Sequence, residues 1–565
     1  MNATHYTGTI NFNATVSDAT LNMHDGVLQF GAGATGTSST YTSNVDMNLS
    51  GGVLSLQNNQ AGDVLNLRNF TITNSPTINL DTNLATSVTD QINISGTGSG
   101  AIAISTLNIM ADSASLSGSI TVVTGAGSTG LTYSGFTSTT SGYRYVFTPN
   151  ATAGIYDYTR SYLNLHLAVI AADHPRSYTL TADEDVAIDL GTMGGANSTL
   201  TVSGGGYSVN GAGYAGITVN SGQTLNISGV GGANDSWNGQ VATDRGGVIY
   251  SSGTVTILNS VFANNTATNY GGVFYGGGLT IGTNGGNDTS VFRNNHAGVG
   301  GVLCGSFNIY NGVTFAGNYT ESGSSGGAIF TGGGGTGSIT GATFKWNGFD
   351  DYDSVNDYST SYHADPTDTS HVLTQNGGAI LVTDMALTIN SSIFTYNEVT
   401  NAGGAISMGW NGTLTIKNST FANNTAGYGA ALSGGATIGT NDGGVTTDTT
   451  LFRNNYAGAL GGAINTGGGL NIYKGVTFAG NYADTNSYGG AIYAEGGSVG
   501  ITGVLFKWNG YEDYNYGLDT ANTVRTRYGG AITNGTGTTL TIAGTTFSHN
   551  AAWQSGGALK LIVPV

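Results

Sequence analysis

Residues 377–424 read GGAILVTDMALTINSSIFTYNEVTNAGGAISMGWNGTLTIKNSTFANN. Two words recur in this stretch: a glycine pair followed by a small and then an aliphatic residue (GGAI), and Phe-x-x-Asn (FTYN, FANN). The glycine word begins at Gly246, Gly271, Gly300, Gly326, Gly377, Gly403, Gly461, Gly489, Gly529 and Gly556, with a degenerate GAAL at Gly429. The second word pairs Phe262 with Asn265, Phe292 with Asn295, Phe315 with Asn318, Phe344 with Asn347 and Phe394 with Asn397. It continues with Phe421 and Asn424, Phe452 and Asn455, Phe478 and Asn481, Phe506 and Asn509, Phe547 and Asn550. The commonest spacing between glycine pairs is 25–29 residues. A fixed period of this size is the signature of a solenoid.

Between the words lie short alternating runs: TVTIL at Thr254, LTIN at Leu387, TLTIK at Thr413, TLTIA at Thr539. Period two means half-buried strand. Helix-period stretches are essentially missing, and Gly, Thr, Ser and Asn dominate. One coil of three short strands and three turns needs about 22–27 residues. The expected fold is therefore all-β: a right-handed single-stranded parallel β-helix, elongated, with the hand taken from the crossover rule. In it glycine bends the backbone at a corner, and Ala and Ile after it point alternately around the wall. Phe stacks on Phe from coil to coil. Asn, three residues on, sits at a corner and hydrogen-bonds along the stack, as amides do in cross-β ladders.

The tandem GGA[ILV] and FxxN words resemble the repeat of chlamydial polymorphic outer-membrane proteins and related autotransporter passengers, over roughly residues 246–560. The resemblance implies a surface-exposed β-helical passenger, often an adhesin, carried to the outer membrane by a C-terminal barrel. Val248, Val273 and Val302 depart from the Ala of the pattern, as does GAAL.

Composition agrees with a polar-surfaced solenoid: 95 glycines, 8 % charged residues and a net charge of −18. Clustered cations for nucleic acid or anionic lipid are missing. Cys304 is the only cysteine, so no disulfide framework exists, and it reads as a small buried hydrophobe. No 18-residue apolar run is present. Met1 opens neither a basic nor an apolar leader, and GGALKLIVPV stops as a new coil begins. The sequence is thus expected to be a fragment, with its membrane barrel in a missing C-terminal part.

Residues 1–171 keep the alternating texture without the paired words and read as irregular β-helix; Tyr143 to Asp173 is bulkier and reads as an interruption or an edge. Residues 172–565 read as the regular β-helix. Within it FANN, FRNN, NIY-x-GVTFAGNY and FKWNG recur at offsets of 159, 160, 163 and 162 residues. A five-coil block is duplicated, about 262–420 and 421–560.

Two coils carry long inserts at matching places. Elsewhere Phe reaches the next glycine word in 8–11 residues; after Phe344 and Phe506 it takes 33 and 23. Long loops on a regular scaffold are where solenoids place function. The first insert holds Asp350, Asp351, Tyr352, Asp353, Asp357, Tyr358, Tyr362, Asp365 and Asp368. The second holds Tyr511, Glu512, Asp513, Tyr514 and Tyr516. Tyrosines beside polar groups make recognition surface. Carboxylates at this density can hold Ca²⁺, but neither insert has EF-hand or nonapeptide spacing, and a solvated acidic loop is the plainer reading.

Catalytic words do not stand out. Gly496-Gly-Ser498-Val-Gly500 and Gly323-Ser-Ser325-Gly-Gly327 match a nucleophile elbow, which needs strand, turn and helix. The histidines show no zinc spacing, and His549 fills the variable slot of FSHN. Arg293, Arg453, Lys345 and Lys507 recur with the blocks and mark no unique site. The expected function is therefore non-enzymatic, without cofactor or metal: an adhesive passenger segment at the bacterial cell surface. Its partner is a host or neighbouring-cell protein or glycan. The alternatives are a β-helical polysaccharide lyase or glycoside hydrolase, and a purely structural stalk.

Overall fold

The computed structural model describes residues 2–562, apart from 4–8, 13–14, 32–38, 112–116, 141–142, 163, 173–175, 187, 232–235, 333, 360–369 and 443–447. Strands take 51 % of the chain and helix 2 %, in a parallel β-solenoid of about 19 turns. The chain forms two compact units, Met1–Ala168 and Val169–Val565.

The first unit begins as parallel coils. Strands Thr20–Met23, Val45–Leu49, Val64–Ile72 and Gln91–Ile94 pair in sequence order along one wall. A second wall runs from Thr9–Phe12 through Val27–Phe30, Val53–Ser55 and Thr77–Asn83 to Ile104–Ala111. The bulky stretch that follows leaves this pattern. Ser117–Thr121, Ile155–Tyr162, Tyr143–Pro149 and Phe136–Thr139 form an antiparallel sheet. Its aromatics pack on one another, Phe136 on Phe147 at 4.6 Å among them.

In the second unit the two words build the core. Strands carrying the Phe, such as Phe262 in Val261–Ala263 and Phe421 in Thr420–Ala422, pair in register, Phe opposite Phe. Ten rings from Phe262 to Phe547 form one file, buried as far as Phe506 and half-buried at its end; neighbouring centroids lie 4.7–5.3 Å apart and ring planes agree within 11°. Each buried phenyl ring contributes about 1.5–3 kcal/mol from lost water contact alone. Three residues on, the amides form a second file. Asn424 is typical: its Oδ1 accepts the backbone N–H and the Nδ2 of Asn397, both at 3.0 Å. Its own Nδ2 donates to Phe394 O at 3.1 Å and to Asn455 Oδ1 at 2.9 Å. A fully buried amide with every site used specifies one register and one only.

The corner glycines have separate tasks. The first of each pair is left-handed, for example Gly377 at φ +61°. The second has no space: a Cβ on Gly378 would lie 2.2 Å from Gly404 O in the next coil. The two residues that follow correct the sequence expectation. Ala328 and Ile329, Ala379 and Ile380, Ala463 and Ile464 are all buried, so they do not alternate in and out. The N–H groups of Ala328 and Ile329 both donate to one carbonyl, Ala379 O, at 3.0 and 2.9 Å. This bulged corner turns two consecutive side chains inward.

A further regularity lies in the residue before each Asn. Asn264, Asn294, Gly317, Trp346, Tyr396, Asn423, Asn454, Gly480, Trp508 and His549 all have φ between +50° and +64°. Asn and Gly accept this conformation readily; aromatic residues do so at a cost. The four aromatics occur as stacked neighbours, Trp346 on Tyr396 and Trp508 on His549, each at 4.4 Å.

Candidate functional site

Both inserts leave the solenoid at the glycine after FKWN, Gly348 (φ +110°) and Gly510 (φ +96°). Both return through a single antiparallel bridge, Phe349 with Val372 and Tyr511 with Val524. The carbonyls of Gly348 and Gly510 receive the returning chain, from Leu373 N at 3.0 Å and Arg525 N at 2.7 Å. A threonine hydroxyl then re-enters the solenoid: Thr374 Oγ1 accepts from Thr320 N and Thr526 Oγ1 from Ala483 N. The two loops differ in length and share one frame.

The same docking device fixes each loop. Lys345 Nζ meets Asp357 at 2.7 Å, and Lys507 Nζ meets Asp519 at 2.9 Å. The hydroxyls of Tyr352 and Tyr514 donate to those same aspartates at 2.8 and 2.7 Å. The carbonyls of Tyr352 and Tyr514 accept from Asn294 Nδ2 and Asn454 Nδ2, two coils below. Each tyrosine fills the space that a glycine leaves open in the left-handed file. A Cβ on Gly317 or Gly480 would lie 2.2 Å from Tyr352 or Tyr514. Burial raises both phenols, that of Tyr514 to about 12. The bonds from Lys507, then Tyr514, hold Asp519 below the usual carboxylate range.

Most of the acidic residues expected to face solvent are thus committed. Asp353 accepts from the N–H groups of Val355 and Asn356 and from Asn356 Nδ2, and Asn515 makes the matching turn with Gly517 and Leu518. Asp513 accepts from Asn522 N, Thr523 N and Thr523 Oγ1. Glu512 pairs with Arg525 at 3.1 Å and Asp350 with His371 at 2.8 Å. Asp351 lies beside that last pair. Tyr352 and Tyr514 are buried and hold the loops down; Tyr358 is half-buried against the same cluster. Tyr511 packs edge-on against Trp508. Tyr516 is 43 % exposed, with Arg453 and Lys507 over its ring at 5.4 and 5.3 Å. The loop tips show Val355, 87 % exposed, and Leu518, 73 % exposed. Tyr362, Asp365 and Asp368 lie outside the described residues.

The sequence reading missed the docking roles of Lys345, Lys507 and Asp519. Their signal is legible in retrospect: Lys345, Tyr352 and Asp357 recur as Lys507, Tyr514 and Asp519 at one offset of 162. Elsewhere, Ser498 lies inside the strand Gly497–Thr502. Cys304 is buried, and burial pushes its thiol up to about 12, which keeps it inert. Two grooves are lined without an ionisable side chain. One, of about 920 Å³, runs along Ser105–Ala111 and Thr137–Thr140; the other, of about 320 Å³, lies between Met408 and Gly469.

No curated protein and no solved structure matches the chain. The stretch 475–495, which holds one FAGN and one GGAI word, does match a family model. That model is the Chlamydia polymorphic membrane protein (Chlamydia_PMP) repeat, so the two words of this stretch are words of that repeat.

Proposed function

We propose that the chain is a passenger segment of an autotransporter-like bacterial surface protein, and that its work is adhesive contact with a protein or glycan of a host or neighbouring cell. The observation that supports this reading is the pair of inserts: two loops in one frame, locked to a rigid scaffold by the same Lys–Asp–Tyr device, with aliphatic and aromatic residues left at their tips. Phe344 and Phe506 are five rungs apart in the ring file. At about 4.8 Å per coil the loops stand about 24 Å apart. Two loops in one frame at fixed spacing suit a ligand gripped at two points, where the second contact forms at high effective concentration. The partial family match and the ion-free lining of the two grooves favour a binding role over catalysis.

The test is binding of the labelled chain to host cells, with insert 1, insert 2 or both replaced by the short turn of the other coils. Each single replacement is expected to reduce binding by much more than half, and the double replacement to abolish it. Binding undiminished by the double replacement would remove the loops from the function. Antibody labelling of intact producing cells tests the surface location separately.

A further inference from the structure

The two inserts share a frame but differ at one corner. In insert 2 the guanidinium of Arg525 bridges two carboxylates, Glu512 at 3.1 Å and Asp484 at 3.3 Å. The equivalent positions in insert 1 keep both acids. Asp350 replaces Glu512: its N–H donates to His371 O just as that of Glu512 donates to Thr523 O, both at 3.1 Å. Glu321 replaces Asp484: each donates its N–H to the alanine carbonyl of the previous coil, Ala297 or Ala457. Asp350 and Glu321 both act electrostatically on the imidazole of His296. The arginine, however, is replaced by Leu373, whose N–H donates the same backbone bond to the carbonyl of the loop's first glycine. Where insert 2 has Thr523, insert 1 has His371.

We propose that insert 1 binds a divalent transition-metal ion through Asp350, Asp351 and His371, a site that shares Asp350 with the corner where insert 2 carries its own cation. One ligand atom from each residue lies within 4.8 Å of the other two. Zinc bonds of about 2.1 Å place neighbouring ligand atoms about 3.3 Å apart, so small side-chain rotations close the set. The hydrogen bond between Asp350 Oδ1 and His371 Nδ1, at 2.8 Å, already holds two of the three together. Imidazole with carboxylates selects zinc-like ions over calcium, which takes oxygen alone. The positions not filled by protein remain for water or a partner's donor atom. The site does not depend on the adhesive reading: it concerns how insert 1 is neutralised, whatever the loop contacts.

Equilibrium titration of the full chain with Zn²⁺, with Ca²⁺ as competitor, tests the site. One zinc equivalent is expected, not displaced by calcium. His371→Ala and Asp351→Asn should each weaken it roughly tenfold or more. Leu373→Arg should abolish it, because it supplies the cation of insert 2. The converse variant, Glu512→Asp with Thr523→His and Arg525→Leu, should gain a second equivalent, so the test survives misfolding of insert 1. Zinc binding unchanged by His371→Ala and Leu373→Arg would mark an adventitious ion only and overturn the proposal, as would no saturable binding to the unaltered chain.

Discussion

Consider Asn424→Ala, in the middle of the amide file. The substitution removes four hydrogen bonds, all at 2.9–3.1 Å in a site closed to solvent. It leaves the buried N–H of Asn397 without its acceptor. Net values of about 1 kcal/mol per bond, with the added penalty of an orphaned donor, put the loss at about 4–6 kcal/mol. Asn550→Ala is the internal comparison. Asn550 stands at the last rung, partly exposed, where it accepts from Asn509 N and Nδ2 and donates to Phe506 O. Water can replace those bonds, so the expected loss is about 1 kcal/mol. Asn424→Asp separates the hydrogen-bond argument from packing. A carboxylate still accepts from Asn397 but has no hydrogen for Phe394 O or Asn455 Oδ1, and burial raises its folded-state pKa. That variant should regain stability as pH falls through the raised value, whereas the alanine variant should not. Urea denaturation at several pH values, with hydrogen exchange locating the weakened coils, reads all three. Equal midpoint shifts for Asn424→Ala and Asn550→Ala would refute the claim that the closed amide file carries the register.

Two further outcomes follow from single residues. Glu398 is 5 % exposed, and desolvation pushes its carboxyl up to about 8 from an ordinary 4.5. A raised acid holds its proton longer in the folded state, so its contribution falls as pH climbs from about 4.5 through 8. Glu398→Gln should therefore flatten that part of the stability profile and melt higher than the unaltered chain at pH 8; a lower melting point there would contradict the assignment. Gly480→Ala places a Cβ 2.2 Å from the Tyr514 ring in a left-handed position. It should release insert 2 to limited proteolysis while hydrogen exchange in the Phe file stays protected; protection of insert 2 equal to that of the unaltered chain would sink the docking model.

The core of the second unit was legible because repetition carries phase. Identical side chains returning at one place in each coil, Phe421 after Phe394 or Asn424 after Asn397, satisfy one another only if the coils lie in parallel register. The corners were less legible. Simple alternation sends Ala328 and Ile329 to opposite sides, yet a shared acceptor at Ala379 O turns both inward, and a local hydrogen-bond choice of that kind leaves no mark in residue type. The left-handed slot was masked by its variety: Asn264 and Gly317 suit positive φ, but Trp346 and Trp508 do not, and only their stacking partners in neighbouring coils explain them. The inserts read as acidic and solvated because composition counts charges without their partners. Asp357 and Asp519 are bound to a lysine and a tyrosine that lie close only after folding.

The join between the two blocks has an evolutionary consequence. Phe394 meets Phe421 at 4.8 Å and 4°, and Asn397 donates to Asn424 at 3.0 Å, the same geometry as within either block. The ring and amide files cross that boundary without a change of spacing, so unequal crossing-over can insert or excise a set of coils and leave both files continuous. Such a molecule can change length and loop repertoire over generations in whole-module steps, each product inheriting an intact interior.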